Sequence, residues 1–291
     1  MTASPVSLVI HGGAGALREK DYGREVAHMR GLIEAGRDRL NAGAAALDVV
    51  VETVVALEAS GLYVAGRGAS ANSAGVYELD ASLMDGPTQR AGAVAALVGY
   101  RSPITAARAV MERTPHVLLA GQGAAAFAGA EGLEPIDDPA AWFTQVGRGA
   151  GRTAAELATG TVGCAALDRS GALAAGTSTG GVFGKAPGRV GDSPIPGAGV
   201  WADGRVAISC TGAGEMFIRA AVAAQIAHRL RFTDETLAAA ADAALTDVAA
   251  LGGEGGLIAL SRTGDLVMPY NSAGMKRAAL YPDGRIVSAV F

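Results

Sequence analysis

The sequence is short of the residues on which several common classes of protein depend. Its 291 residues include two cysteines, Cys164 and Cys210, which are too few for a disulfide framework. The four histidines do not have the spacing of a metal-binding motif. Lysine and arginine together number 24 against 28 acidic residues, so the chain has no excess of positive charge to attract nucleic acid.

Long hydrophobic runs and a secretory leader are also missing. No apolar stretch approaches the ~18 residues of a transmembrane helix. The N-terminus has no charged region followed by an apolar run and a cleavage site. We therefore expect a cytoplasmic protein that binds neither membranes nor nucleic acid. Half of the residues are hydrophobic, which is enough for a sizeable core.

Hydrophobic periodicity predicts an order of strands, helices, strands, helices and strands. Helical spacing of apolar residues marks 26–40, 47–57, 104–113, 120–130, 215–230 and 234–251. Strand patterns occur at 7–11, 76–83, 92–98, 162–167, 172–177, 200–202, 206–209, 257–260 and 266–270, with two more near the C-terminus. This order predicts an α/β (α+β) fold in which two sheets pack between two helical layers, a four-layer αββα sandwich.

Two glycine-rich stretches, GTVG at 160–163 and TSTGG at 177–181, indicate the chemistry. A threonine hydroxyl is a weak nucleophile, and no histidine lies within several residues of Thr161 in the sequence. If the bond between Gly160 and Thr161 were cut, the new α-amine, with a pKa near ~8, would be a general base beside its own hydroxyl. These stretches favour a threonine nucleophile at a self-generated N-terminus.

The whole chain resembles the plant-type (type III) L-asparaginase and isoaspartyl peptidase family, which are N-terminal nucleophile (Ntn) hydrolases. Each motif alone would be weak evidence, but together they follow the family's order. They are VIHGGAG at 9–15, DASLMDG at 80–86, AGAV at 91–94, ERTPHVLL at 112–119, GTVGCAALD at 160–168, TSTGG at 177–181, GRVGDSP at 188–194, TGAGE at 211–215 and GGLIA at 255–259.

The resemblance implies a single Ntn-hydrolase domain, 1–291, that cleaves itself into an α subunit, 1–160, and a β subunit, 161–291. The segment 134–160 has weak periodicity and is interpreted as an exposed linker before the scissile bond. In the precursor, Thr161 would attack the carbonyl of Gly160. By the same resemblance, two precursors would associate, and the mature enzyme would be a dimer of αβ units.

In the mature enzyme, the resemblance implies that Thr161 attacks the side-chain amide of asparagine or the β-linked bond of an isoaspartyl dipeptide. Thr179 would hydrogen-bond the nucleophilic hydroxyl. Thr211 and the backbone N–H of Gly212 would form the oxyanion hole, an arrangement worth roughly 2.7–4 kcal/mol per donor in other acyl-transfer enzymes. His11-Gly12-Gly13 is interpreted as a structural loop near this site.

Arg189 and Asp192 have a clear task if the substrate is an aspartyl compound. A guanidinium fork matches the α-carboxylate, and a carboxylate matches the α-ammonium group. By resemblance, Gly212 and Gly214 complete the substrate contacts. On composition alone, both charges are equally well explained as ordinary loop charges, and the GRVGDSP motif favours the functional interpretation.

The resemblance also implies a structural sodium ion and no organic cofactor. The loop from 57 to 67 would wrap the ion with backbone carbonyls, whose ligation depends little on side-chain identity. The implied ligands are the carbonyls of Leu57, Glu58, Ser60, Tyr63, Ala65 and Arg67.

One position departs from the family pattern. Most members have an asparagine in the segment Phe-Asn-Ala-Gly that helps to hold the amine of the nucleophile, whereas here the segment is Tyr63-Val64-Ala65-Gly66. Valine can neither donate nor accept a hydrogen bond. Three explanations stay open: a water or another residue such as Asn72 replaces the contact, catalysis and self-cleavage are slow, or the substrate has changed.

Two functions from other classes compete with this interpretation. Gly176-Thr177-Ser178-Thr179-Gly180 fits the G-x-S-x-G nucleophile elbow of a serine esterase, but the stretch 182–196 after it is rich in glycine and proline instead of helical. The second is an uncleaved or inactive relative that binds amino acids or a partner protein, for which Val64 is the best support.

Overall fold

The computed structural model of the protein describes residues 6–144 and 160–291. Strands in this part of the chain are numbered in order: β1 Ser7–Ala14, β2 Leu79–Asp85, β3 Ala91–Leu97, β4 Leu118–Ala120, β5 Val162–Leu167, β6 Leu173–Thr179, β7 Val200–Ala202, β8 Val206–Gly212, β9 Gly255–Ser261, β10 Leu266–Val267, β11 Met275–Leu280 and β12 Ile286–Ala289.

Helices fall into one group before Thr161 and one group after it. The first group is α1 Gly23–Asn41, α2 Ala46–Ala59, α3 Pro103–Arg113, α4 Gly121–Ala130 and α5 Pro139–Trp142. The second is α6 Gly214–Ala220, α7 Val222–Phe232 and α8 Leu237–Ala250. A short 3-10 turn, Gly66–Gly68, follows α2.

The strands form two sheets that pack face to face. Within the described residues, the larger sheet has eight strands in the order β12-β11-β1-β5-β6-β2-β3-β4, and the smaller has the order β10-β9-β8-β7. Helices α1 to α4 cover the outer face of the larger sheet, and α6 to α8 cover that of the smaller one. The predicted αββα sandwich of the Ntn-hydrolase type is therefore confirmed.

Strands β5 and β6 lie at the centre of the larger sheet and are buried on both faces. Because side chains alternate along a strand, Cys164 and Ala174 face the helical layer. Ala165 and Ala175 face the smaller sheet. This alternation decides which hydroxyl groups of β6 reach the space between the two sheets.

The single helix predicted over 215–230 is wrong, since α6 and α7 are separate helices. Ala221 between them has left-handed backbone angles, φ 48° and ψ 46°, which cost a non-glycine residue roughly 1–2 kcal/mol. Phe217, Val222 and Ile226, on both sides of the break, still pack in one core. The spacing of apolar residues therefore stays helical on both sides of Ala221, and it does not indicate that the helix ends there.

Two strand predictions also differ from the structure. β2 begins at Leu79 instead of 76, and β4, which pairs in parallel with β3, was not predicted. The strand predicted over 266–270 ends at Val267. Beyond it, the carbonyl of Pro269 accepts a hydrogen bond from the N–H of Leu257, so the chain turns towards the start of β9.

The segment predicted as an exposed linker, 134–160, is described only as far as Thr144 and again at Gly160. Most of 134–144 is exposed, as predicted, but Phe143 is buried and stacks on Tyr77 with ring centroids 3.7 Å apart. The N–H of Ile136 donates to the carbonyl of Gly99 at 2.8 Å. The first part of the segment is thus anchored to the domain, and 145–159 lie outside the described residues.

Candidate active site

The predicted threonines lie at one end of the central strands. Thr161 directly precedes β5, and Thr179 is the last residue of β6. Val162 pairs with Ser178 across these antiparallel strands, so Thr161 and Thr179 are neighbours. The Oγ1 of Thr161 donates to the Oγ1 of Thr179 at 3.2 Å, and Thr161 is only 7% exposed. Two of the predicted catalytic groups are therefore in direct contact.

His11 holds Thr161 from the opposite side. Its Nδ1 lies 3.1 Å from the carbonyl oxygen of Thr161, and its Nε2 lies 2.9 Å from the Oγ of Ser209 on β8. Ser209 is in turn 2.6 Å from the Oγ1 of Thr177. Burial lowers the pKa of His11 to about 3, so the imidazole is neutral at pH 7. The strand predicted over 7–11 is longer than expected, and the interpretation of Gly12 and Gly13 as a loop is wrong, because β1 continues to Ala14 with a shift in register after His11.

Thr211 and Gly212 end β8 beside β1. The N–H of Ala14 donates to the Oγ1 of Thr211 at 3.2 Å. Gly212 has φ 155°, and a Cβ atom there would lie 2.5 Å from the carbonyl oxygen of Glu254, so glycine is required. Strand β1 thus fixes Thr161 through His11 and Thr211 through Ala14, while their role as nucleophile and oxyanion donor stays a prediction.

Arg189 and Asp192 come together on the segment between β6 and β7. The Nε and Nη2 of Arg189 each donate to Glu215 at 2.9 Å. A Cβ on Gly214 would lie 2.9 Å from the Oδ1 of Asp192 and 3.1 Å from the Nη2 of Arg189, so Gly214 keeps the space between the two charges clear. Glu215 belongs to the TGAGE motif at 211–215, but the sequence does not indicate its pairing with Arg189.

Asp192 is buried with one oxygen unused. Within the described residues, its Oδ2 has no hydrogen-bond partner. Burial raises its pKa to about 7, and the Arg189 charge partly offsets the rise. A buried acceptor beside a guanidinium group is what binding of a zwitterionic amino acid requires.

A buried anchor supports the segment that carries these two charges. The Nζ of Lys185 donates to the backbone carbonyl of Glu78 at 2.8 Å. The N–H of Gly188 donates to the Oε1 of Glu78 at 2.9 Å. These bonds tie the segment to the chain just before β2. Burial lowers the pKa of Lys185, and the nearby Asp80 charge opposes the shift.

Val64 lies against the residue before the predicted nucleophile. A Cβ atom on Gly160 would be 2.3 Å from the Cγ2 of Val64. Asn72, proposed as a substitute for the missing asparagine, uses its Oδ1 to accept from the N–H groups of Ala74 and Val76, both at 2.9 Å. The oxygen of Asn72 is therefore occupied in its own turn.

Ser178 does not have the environment of a nucleophile elbow. It lies inside β6, is fully buried and faces the helical layer. Its Oγ donates to the Oε1 of Glu58 at 2.6 Å. Ser102 Oγ and the N–H of Ile104 also donate to Glu58, at 2.5 and 3.1 Å. The serine esterase interpretation is therefore wrong, and Glu58 is a buried contact of the site that sequence reasoning missed as a side chain.

The loop predicted to hold sodium curls back on the end of α2. A Cβ on Gly68 would lie 1.9 Å from the carbonyl oxygen of Tyr63, and one on Gly66 would lie 2.7 Å from that of Glu58. These glycines let the backbone pass close to the two carbonyl oxygens, and sodium binding by the loop stays a prediction. Among the described residues, no cluster of three or more His, Cys, Asp or Glu side chains could hold a metal ion.

Comparison with known proteins covers nearly the whole chain. The family model described as Asparaginase matches residues 4–287. The isoaspartyl peptidase of Salmonella typhimurium is 44% identical, over 93% of this chain and 94% of that protein. The plant-type L-asparaginase of Pyrobaculum calidifontis is 42% identical, over 93% and 95%. The isoaspartyl peptidase/L-asparaginase of Homo sapiens is 40% identical, over 96% and 94%.

In the described part of the chain, no helix is both long and apolar enough to cross a membrane.

Proposed function

The chain belongs to the asparaginase family and is a hydrolase, and we propose that it cleaves the side-chain amide of L-asparagine, β-aspartyl dipeptides, or both. The observation that carries this proposal is the pair of hydroxyls of Thr161 and Thr179, 3.2 Å apart at the end of the central strands. Close relatives named isoaspartyl peptidase and plant-type L-asparaginase support the substrate class.

Self-cleavage would prepare the nucleophile. The Oγ1 of Thr161 attacks the carbonyl carbon of Gly160, a C–O bond forms, and the C–N bond between the two residues breaks. The hydroxyl proton passes to the departing nitrogen, which becomes the α-amine of Thr161. Water then hydrolyses the ester, freeing the carboxyl group of Gly160 and the hydroxyl of Thr161.

The mature site would then run an acyl transfer. The α-amine of Thr161 takes the proton of its hydroxyl, the oxygen attacks the substrate carbonyl, and the leaving amine receives the proton. Thr211 and the N–H of Gly212 stabilise the oxyanion. Arg189 binds the α-carboxylate and Asp192 binds the α-ammonium group. Water hydrolyses the aspartyl ester and releases aspartate.

The intact mass of purified protein, fresh and after days at neutral pH, tests this function. We expect two fragments, the second beginning at Thr161, together with release of aspartate from asparagine or from an isoaspartyl dipeptide. Thr161→Ala should stay intact and inactive. Ser178→Ala, which changes the neighbouring hydroxyl, is the control and should still cleave. Cleavage of Thr161→Ala would refute the mechanism.

The absence of a polar side chain at Val64 favours one alternative, an uncleaved relative that binds amino acids. Under this alternative the full-length mass would persist. Calorimetric titration of such a full-length protein with L-aspartate would then detect binding without turnover. Two fragments with turnover would exclude it.

The carbonyls of the loop from 57 to 67 would hold sodium as a structural ion. The curl of the loop at Gly66–Gly68 supports this site. The melting temperature should rise with NaCl but not with choline chloride at equal ionic strength, because an ion that binds only the folded state stabilises it. An equal response to both salts would refute specific sodium binding.

Self-association would give a dimer of αβ units after cleavage. The chain's family is the support for this proposal. Light scattering on the chromatographed protein should give about twice the mass of 29.0 kDa. A mass of one chain would refute it.

A further inference from the structure

Gly160 is confined between two other residues just before the predicted scissile bond. A Cβ atom on Gly160 would lie 2.3 Å from the Cγ2 of Val64 and 2.4 Å from its Cβ. On another side, a Cβ on Gly13 would lie 2.7 Å from the Cα of Gly160. Gly13 has φ 100°, a conformation that favours glycine. Contact on both sides leaves Gly160 little freedom to move.

Val64 also contacts the end of β6, where Thr179 lies beside the predicted nucleophile Thr161. Its carbonyl oxygen accepts a hydrogen bond from the N–H of Gly180 at 2.8 Å. The N–H of the next residue, Gly181, donates to the Oγ1 of Thr179 at 3.0 Å. Val64 thus contacts Gly160 through its side chain and the end of β6 through its backbone. This link connects Gly160 with the end of the strand that carries Thr179.

We propose that Val64 is a positioning residue for self-cleavage: its side chain, opposite Gly13, holds Gly160 in place for attack by Thr161 and restricts position 160 to glycine. This inference rests on the proposed self-cleavage. A β-branched side chain suits the task because it has few χ1 rotamers. Attack inside one chain depends on a fixed approach of the reacting atoms, so loss of the contact should slow cleavage.

The first point to test is whether a side chain larger than that of glycine fits at residue 160. The nearest atoms that a Cβ on Gly160 would meet all belong to Val64. Gly160→Ala should therefore slow cleavage about tenfold to a hundredfold, as expected for an added methyl group in a filled space. Val64→Gly in the same chain removes both contacting carbons and leaves the backbone nitrogen of residue 64 at 3.0 Å as the nearest contact. The double variant should regain much of the lost rate.

Val64→Gly and Val64→Thr test the fixed approach without changing Gly160. Val64→Gly should slow cleavage. Val64→Thr keeps the branched shape, so it should cleave at nearly the unmodified rate. A purely structural role would not produce rescue of Gly160→Ala by a smaller neighbour. The matched control is Val76→Gly with Gly160→Ala, since Val76 is 41% exposed, and it should not rescue.

Cell-free synthesis with pulse labelling gives the cleavage rate of each variant from the moment the chain is complete. Melting temperatures of the same variants in the Thr161→Ala background separate misfolding from slow cleavage. Cleavage of Gly160→Ala at the unmodified rate, or no rescue by Val64→Gly, would overturn the role of Val64 alone. An unmodified chain that never cleaves would overturn self-cleavage and this inference together.

Discussion

Glu58 at the end of α2 and Asp192 between β6 and β7 are two buried carboxyl groups, and burial raises the pKa of each to about 7. Glu58 accepts hydrogen bonds from Ser102, Ser178 and the N–H of Ile104. Asp192, in contrast, has an Oδ2 atom without a partner among the described residues. The difference separates their roles, because a satisfied buried carboxyl stabilises the fold and an unsatisfied one is available to a ligand.

Glu58→Ala should produce the largest effect. It leaves the buried hydroxyl of Ser178, the buried N–H of Ile104 and the half-buried hydroxyl of Ser102 without an acceptor, so the free energy of unfolding should fall by about 4 kcal/mol. Urea unfolding in the Thr161→Ala background, where one intact chain unfolds, measures it. Glu52→Ala on the same helix is the control, since Glu52 has a half-exposed side chain and should cost under about 1 kcal/mol. If Glu58→Ala and Glu52→Ala lowered the free energy of unfolding equally, the hydrogen bonds of Glu58 would not stabilise the fold, and its difference from Asp192 would not hold.

The pH dependence of stability should contain a contribution from Glu58. Its pKa is raised from an ordinary value of 4.5 to about 7, so the folded state binds the proton more tightly than the unfolded state. The contribution is fully present below about pH 4.5 and is lost as pH rises to about 7, a change of the order of 3 kcal/mol. Glu58→Gln should reduce the pH dependence of the urea-measured stability over that interval, and Asp192, whose pKa is also raised to about 7, should account for part of what remains. An unchanged slope would mean that Glu58 titrates normally.

Asp192→Asn should spare stability and impair substrate use. Loss of a charged partner for the α-ammonium group should lower kcat/KM about a hundredfold, mainly through KM. The free energy of unfolding should stay the same or rise, because an unsatisfied buried carboxylate has been removed. Steady-state assays with asparagine measure the first effect. Asp283→Asn, on an exposed turn, is the control, and a loss of stability without a kinetic effect would reverse the assignment.

Glu215→Gln should have the smallest effect. The side chain of Glu215 is 58% exposed, but it orients the guanidinium group of Arg189 with two bonds. We expect KM to rise about fivefold with little change in kcat, because the fork loses its fixed orientation. A fall in KM would mean instead that Glu215 competes with the substrate carboxylate. Glu235→Gln, which alters a similar ion pair on Arg229, serves as the control.

Prediction from the sequence was strongest where the pattern was local. The central strands, most of the helices and the four-layer order were recognised, because short apolar runs bounded by turn residues mark buried strands and a 3.6-residue spacing marks helices. The break at Ala221 and the strand β4 were missed. Ala221 keeps the apolar residues on both sides in one core, and β4 depends on its pairing with β3 for its existence.

The candidate site divides in the same way. Thr161, Thr179, Arg189 and Asp192 were identified from motifs, and the structure brings Thr161 into contact with Thr179 and Arg189 close to Asp192. His11 was placed near the site but without its contacts. Its two partners lie 150 and 198 residues away in the chain, and no spacing rule connects residues at such distances.

The sequence by itself determined the layers, the glycines that permit close approach and the hydroxyls and charges available for catalysis, because these follow from residue type and short-range period. Only the tertiary structure decided that Ser178 faces Glu58 while Thr179 faces Thr161. Neighbouring residues of a strand point to opposite faces, and only the packing of helices and sheets determines what each face meets. The same packing places Val64 against Gly160, a contact between residues 96 positions apart in the sequence.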